Sequence, residues 1–445
     1  MESLITPVTV WTGEEIVDRS AILIRDGRVV DVAPAGGAAT LEIGDGAERI
    51  DGGGKLAIPG LINAHTHLYS SLARGMSVSP FAPASFTEIL EQLWWRLDRA
   101  LDPESIRASV LIGAMEAARC GVTTLIDHHA SPNAVPGSLD LLKEEVCDRV
   151  GLRGVFCYEL TDRDGPERSD RGIKENLRFL DSIDDPNPLF SAQFGLHASF
   201  TIAEETIERV ASAIPDGVGV HVHVAEGPED EARCEADHGL RVVERLDRHG
   251  LVRPNSILVH CLHVDGSEKD LVAERDAVVV HNPRSNMNNA VGLFDLPGFL
   301  ERGVLTGLGT DGLGANMLAE LFTAGILQKH GRSDPLAGGF DALRALLFEN
   351  NPRIAGRLLG VELGRIAPGA PADIALLDYA PPTPLRSENV LGHLLFGTAV
   401  HSLRVADLFV AGRAILRDGA FVDVDEEAVY AHAREQADRL WDRLG

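Results

Sequence analysis

Cysteine is scarce in this chain of 445 residues: Cys120, Cys147, Cys157, Cys234 and Cys261 stand far apart, with no Cys-x-x-Cys pair. That scatter excludes a disulfide framework and a structural zinc knot, and it points to a reducing, cytoplasmic location. Basic residues are outnumbered, 41 Lys and Arg against 67 Asp and Glu, for a formal net charge of -26. So acidic a surface repels phosphate, which argues against nucleic acid as a partner, and serves solubility instead. Long apolar runs are missing too. No stretch reaches the roughly 20 residues that cross a membrane, and the opening Met1-Glu2-Ser3-Leu4-Ile5-Thr6-Pro7 lacks the basic region and apolar core of a secretory signal. No Gly-x-Gly-x-x-Gly follows an early strand, which counts against a dinucleotide-binding open sheet.

What is present is the make-up of a globular protein, 44% hydrophobic and 24% charged, long enough for more than one structural unit. From residue 4 to 57 the pattern alternates with period two, and Asp26-Gly27 between Ser20–Arg25 and Arg28–Val32 marks a hairpin. The same pattern returns at Ala372–Asp378 and Asp407–Leu416. Two strand-rich ends around a different middle predict one small β-sandwich domain assembled from both termini, residues 1–57 and 365–424. Between them, short apolar strands at Ile58–Ala64, Thr123–Ile126, Leu152–Tyr158, Phe190–Leu196, Gly219–Val224, Ile257–His260, Ala277–His281 and Val304–Gly309 alternate with helical patterns. The clearest of these are Ser105–Arg119, Ile202–Ala213, Glu229–Arg248 and Met317–Lys329. An α/β fold follows, with the rhythm of a (β/α)8 TIM-type barrel over 58–364; a doubly wound sheet would give a similar string. A charged helix within 425–445, Glu426 to Leu444, is expected to be a solvated outer face.

Three of these strands end in side chains that bind metals. Side chains alternate faces along a strand, so His65 and His67 point the same way, and paired imidazoles suit zinc, iron or nickel. A bare His-x-His is equally a polar strand end. Further along, Val220-His221-Val222-His223 is followed by Glu226, and Val304–Gly309 runs into Asp311. Ligands ending separate parallel strands would gather at one carboxyl-terminal rim, where barrels build their sites.

The segments Pro59-Gly60-Leu61-Ile62-Asn63-Ala64-His65-Thr66-His67, His223-Val224-Ala225-Glu226, Val259-His260-Cys261, His281-Asn282-Pro283-Arg284-Ser285-Asn286 and Leu308-Gly309-Thr310-Asp311-Gly312 together resemble the amidohydrolase superfamily. The branch is that of cytosine, guanine and methylthioadenosine deaminases and triazine hydrolases. Within it, Leu93-Trp94-Trp95-Arg96-Leu97-Asp98, Ile126-Asp127-His128-His129 and Arg284-Ser285-Asn286-Met287-Asn288-Asn289 are most similar to the SsnA-type aminohydrolases. The resemblance implies a barrel, a sandwich from both ends, and one divalent metal, zinc or iron, on His65, His67, His223 and Asp311. It gives Asp311 the proton of the attacking water, Glu226 the protonation of substrate and leaving amine, and His260 the charge developing on the attacking oxygen. Binuclear relatives carry a carbamylated lysine on the fourth strand, and Phe190–Leu196 has none, so one ion is expected.

The activity so implied is deamination of a small nitrogen heterocycle, purine-related compounds among them. Alternatives are release of chloride or an alkylamine, opening of a cyclic amide, or a barrel that has become a scaffold. A homodimer is expected from family habit. Arg74, His129, His197 and Arg284 are candidate substrate contacts. The bland readings stand beside them: solvation for both arginines, core packing for Trp94 and Trp95, and structural roles for His128, His263 and His281. His223 is preferred over His221 because only it has the His-x-x-Glu spacing.

Overall fold

The computed structural model describes residues 2–34, 41–183, 187–312, 314–399 and 404–444. Asp26-Gly27 closes the expected hairpin, with Ile16–Arg25 antiparallel to Arg28–Ala33 and Arg25 opposite Arg28. Nine strands form one mixed sheet from both ends of the chain. The two halves join where Lys55–Pro59 runs antiparallel to Ile374–Asp378, with Ala57 opposite Leu376. Ile5, Val10, Ile22, Ile24, Ala57, Ile374, Leu376 and Phe409 make a common apolar core there. Ile22 and Ile24, like Ile374 and Leu376, are alternate residues on one face, and their neighbours Ala21, Leu23, Ala375 and Leu377 are buried as well, so these strands are covered on both faces. The run Asp407–Leu416 is broken into Val405–Val410 and Arg413–Arg417 by a turn at Ala411-Gly412.

The opening strand is likewise two. Lys55–Pro59 belongs to the mixed sheet and Leu61–Thr66 to a parallel one, with Gly60 between. A Cβ on Gly60 would sit 2.4 Å from the Thr123 side chain, so only glycine lets the chain pass from one sheet into the other. Leu61–Thr66, Val122–His129, Arg153–Tyr158 and Phe190–Ala192 form a four-stranded parallel sheet. Phe194–Ala198, Val220–Val224, Ile257–His260, Val278–His281 and Leu305–Leu308 form a five-stranded one. The strand expected as Phe190–Leu196 is therefore divided at Gln193, because its first half pairs with Arg153–Tyr158 and its second with Val220–Val224. Isolated parallel bridges link Leu160 to Leu196 and Thr66 to Asp311.

Helices follow the strands. Glu229–Arg248 is two helices, Pro228–His238 and Val242–Arg248, since Gly239 takes a left-handed φ of 66° and ends the first. Glu426–Leu444 is not a fully solvated face: Val429, Ala433, Gln436 and Leu440 are buried at three- and four-residue intervals, and the Trp441 indole N–H donates to Leu72 O. Among the described residues no helix is long and apolar enough to cross a membrane.

One buried ion pair ties the two kinds of sheet together. Arg153 donates to Asp373 through Nε at 2.7 Å and NH2 at 2.9 Å, and Asp373 Oδ1 also accepts from Ala411 N. Removing one partner of a buried pair strands the other, at about 3–5 kcal/mol. Asp373→Ala is therefore expected to lower unfolding free energy by that amount in urea denaturation. A shift below about 1 kcal/mol, the range of an exposed pair, would contradict the bidentate geometry.

Candidate active site

Several strand ends bring their terminal side chains together. Asp311 Oδ1 lies 3.5 Å from His65 Nε2 and 3.0 Å from His67 Nε2, so the two histidines share a face. His223 Nε2 is 3.2 Å from His67 Nε2. His260 Nε2 stands 3.3 Å from Glu226 Oε2 and 3.8 Å from Asp311 Oδ2. The turns that aim these groups are sharp. Ala225, His260, Cys261 and Asp311 all have positive φ, between 46° and 72°, although none is glycine. Such backbone costs about 1–3 kcal/mol per residue and persists where the surroundings hold it, characteristically at functional sites.

Each imidazole is anchored through Nδ1. His67 donates to His128 O at 2.6 Å, His223 to His197 O at 3.1 Å and His260 to Asn286 Oδ1 at 2.8 Å, while His65 Nδ1 meets His221 Nε2 at 2.8 Å. Fixing Nδ1 as the donor leaves Nε2 with its lone pair, the arrangement of metal-binding histidines. His65 Nε2 and His260 Nε2 are buried and have no hydrogen-bond partner. Among the described residues, His65, His223, His260 and Asp311 form one group with donor atoms mutually within 4.8 Å, and His67, His128, Glu159 and His223 form another.

The electrostatics separate His65 and His223, kept neutral, from His67, whose proton a bound cation would have to displace. Burial pushes His65 down to about 3, and burial with neighbouring imidazoles pushes His223 well below its usual value. Burial opposes charge on His67 as well, but Asp311 outweighs it and lifts His67 to about 9. Asp311, which burial would raise, is held well below the carboxylate range by the imidazoles of His65 and His67 beside it. Orphaned Nε2 atoms beside an ionised buried carboxylate call for a cation, and the donor set fits a divalent metal.

Glu226 is buried next to this cluster. Its Oε1 accepts from Asn289 Nδ2 at 3.1 Å, and burial raises its carboxyl to about 7. Ser285 Oγ donates to Asp311 Oδ2 at 2.6 Å. A cavity opens over these groups, walled by Tyr69, Phe86, Trp94, Trp95 and Phe200 and including Glu159, Arg163 and His197. The expected contact His197 lines it, held by Thr201 Oγ1 at 2.7 Å from Nδ1. Trp94 and Trp95 line it too and are only half-buried, so packing alone does not account for them.

The other candidates lie elsewhere. Arg74 makes a bidentate pair with Glu116 at 2.6 and 2.7 Å, its side chain 65% exposed. Arg284 turns toward Glu320, with NH1 3.4 Å from Oε1. His129 is wholly buried outside the cavity lining, with Nε2 2.9 Å from Ser131 Oγ. His221 is the partner of His65; His263 Nε2 donates to Val291 O; His281 stacks on Phe294 at 4.4 Å.

Sequence reading passed over Ser285, Asn286 and Asn289, and chose Arg284. Pro283–Asn288 is a helix, so Ser285 and Asn289, four apart, share a face turned to the cluster while Arg284 points away. Recognising that helix is the signal that would have found them. Asp98, Glu159 and Arg163 also line the cavity; Asp98 ends the run Leu93–Asp98, and no sequence motif marks the other two.

A sequence model of the amidohydrolase family matches residues 56–415. The chain is 32% identical to the 5'-deoxyadenosine deaminase of Methanothermobacter thermautotrophicus, over 96% of this chain and 98% of that one. It is 31% identical to the 5-methylthioadenosine/S-adenosylhomocysteine deaminase of Haloarcula marismortui, over 100% of this chain and 99% of that one. In structure it resembles an adenosine deaminase from Xanthomonas campestris with bound zinc, with a TM-score of 0.84 at 26% identity, covering 98% of each chain.

Proposed function

Because this chain belongs to the amidohydrolase family, we propose that it is a metal-dependent aminohydrolase that hydrolyses the exocyclic C–N bond of an aminopurine or its nucleoside and releases ammonia. The observation that carries this reading is the convergence of His65, His67, His223 and Asp311, with Glu226 and His260 alongside. Its purine direction is supported by relatives named as adenosine-type deaminases across their whole length.

His65, His67, His223 and Asp311 would hold one divalent ion. Zinc is favoured because imidazole and carboxylate suit it and a structural relative carries it. Such an ion supplies Lewis acidity and brings the ionisation of water toward neutral pH. The remaining work falls to side chains. Asp311, held by Ser285, is placed to take the proton of the attacking water. Glu226, positioned by Asn289 and raised to about 7 by burial, is able to hold a proton near neutrality, give it to a ring nitrogen and pass one to the departing amine. His260, fixed by Asn286 and flanked by Glu226 and Asp311, is placed to stabilise the oxygen that gains charge. Trp94, Trp95 and Phe86 offer flat faces for a planar base and exclude water from it.

The same reading takes the two parallel sheets as arcs of a closed (β/α)8 barrel over 58–364, supported by the bridges Leu160 to Leu196 and Thr66 to Asp311. The nine-stranded sheet would be the small β-sandwich domain of 1–57 and 365–424, with 425–445 a separate helix; residues 1 and 445 lie outside the described ones. Five free thiols support a cytoplasmic location. Exposed Ile326, Leu336, Phe340 and Phe396 support a homodimer.

The test is ammonia release by the purified holoenzyme from adenosine, 5'-deoxyadenosine and 5'-methylthioadenosine. Stripping the metal with a chelator is expected to remove nearly all activity, and one equivalent of zinc to restore it. Turnover that survives complete metal removal, or product without ammonia, would sink the proposal.

A further inference from the structure

One charged group in the cavity wall has no part in the chemistry above. Arg163 lies just beyond the strand Arg153–Tyr158, its side chain 7% exposed and its guanidinium carbon 5.0 Å from the centre of the Trp95 ring. NH2 donates to Asp98 Oδ2 at 2.5 Å and lies 3.5 Å from Glu159 Oε1, while Nε lies 3.5 Å from Asp164 Oδ2. Three carboxylates thus surround one guanidinium. Among the described residues that line the cavity, Arg163 is the one Arg or Lys, and Glu226, Glu229, Asp230 and Asp311 line it as well. Yet Arg163 NH1 and Nε are buried without a hydrogen-bond partner, and so are Asp98 Oδ1 and Asp164 Oδ2.

A buried donor that nothing in the protein satisfies is costly, so NH1 is suited to a group that enters the cavity. We propose that Arg163 is a specificity-determining residue that donates from NH1 to a neutral acceptor on the non-reacting part of the substrate, and that the carboxylates around it make the cavity reject substrates bearing a phosphate there. This rests on the aminohydrolase reading, because it concerns the same cavity. A free guanidinium is an anion receptor. Here Asp98 and Glu159 already neutralise it, and Asp98 acts as a positioning residue by occupying NH2 and leaving NH1 open. The Trp95 ring holds the guanidinium plane. An incoming phosphate would set its own negative charge beside these carboxylates in a site with little water, whereas a hydroxyl or ring oxygen brings none. The chain's net charge of -26 acts in the same direction at long range.

The experiment compares adenosine with adenosine 5'-monophosphate on the zinc-loaded enzyme, by ammonia release and by calorimetric binding. The expected kcat/KM for adenosine exceeds that for the monophosphate by ~100-fold or more, with most of the gap in KM. Asp98→Asn removes an ionisable carboxyl, which burial raises to about 7, and keeps the shape; at about pH 8, where that carboxyl is mostly ionised, it is expected to narrow the gap at least ~10-fold. Arg163→Gln is expected to raise KM for adenosine by ~10-fold or more. Comparable use of the monophosphate by the unaltered enzyme overturns the inference even if neither variant folds, and so does an unchanged ratio in Asp98→Asn. If neither compound yields ammonia, the aminohydrolase reading fails on this substrate class and binding decides separately: tighter adenosine supports the inference, equal or absent binding overturns it.

Discussion

Asp311→Asn is expected to lower ammonia release by about 10⁴-fold or more, because one substitution removes two functions. Among the described residues the carboxylate is the one anionic group touching both His65 and His67, at 3.5 and 3.0 Å, and it is held ionised there. An amide of the same shape neither balances a divalent cation nor accepts a proton from water. Ser285 Oγ, 2.6 Å from Oδ2, keeps a partner in the amide oxygen, so the fold should survive. Elemental analysis of the purified variant should find divalent metal well below one equivalent. A variant that retains full metal and more than a tenth of the activity would show that the ligand set and the proton acceptor lie elsewhere.

Glu226→Gln carries the second large effect, a fall in kcat of about 10²–10⁴-fold with metal content unchanged. Glu226 reaches the cluster through His260, at 3.3 Å, and its other oxygen is fixed by Asn289, so the substitution would remove the proposed proton carrier and leave His65, His67 and His223 in place. The distinction from Asp311→Asn lies in the metal: one variant should lose it and the other keep it. Single-turnover measurements should place the Glu226→Gln defect in the chemical step. A loss in KM alone would make Glu226 a substrate-binding group.

Much of this site was legible in the chain. The His-x-His at 65 and 67 announced a shared face through strand periodicity, and the contacts of both with Asp311 follow from it. The hairpin at Asp26-Gly27 and the helix Glu426–Leu444 were equally local signals. Where reading failed, the deciding contact was distant in sequence. Arg74 looked free in a loop, but Glu116, forty-two residues on, holds it. Trp94 and Trp95 follow a helical pattern that suits a core, and only the packing of other segments shows that a cavity lies against them. Gly60 reads as part of a single strand, Ile58–Ala64, whereas the Thr123 side chain makes it the crossing point between two sheets.

By itself the sequence determined which side chains can bind metal and carry protons, and which strands and helices present them, because alternation, turn chemistry and spacing act over a few residues. Only the tertiary structure decided which Nε2 atoms are left unpaired, which carboxylate is kept ionised, and that Arg163 sits among three acids over Trp95. Burial and electrostatic coupling depend on every atom within a few ångströms, and those atoms come from segments that the chain order keeps far apart.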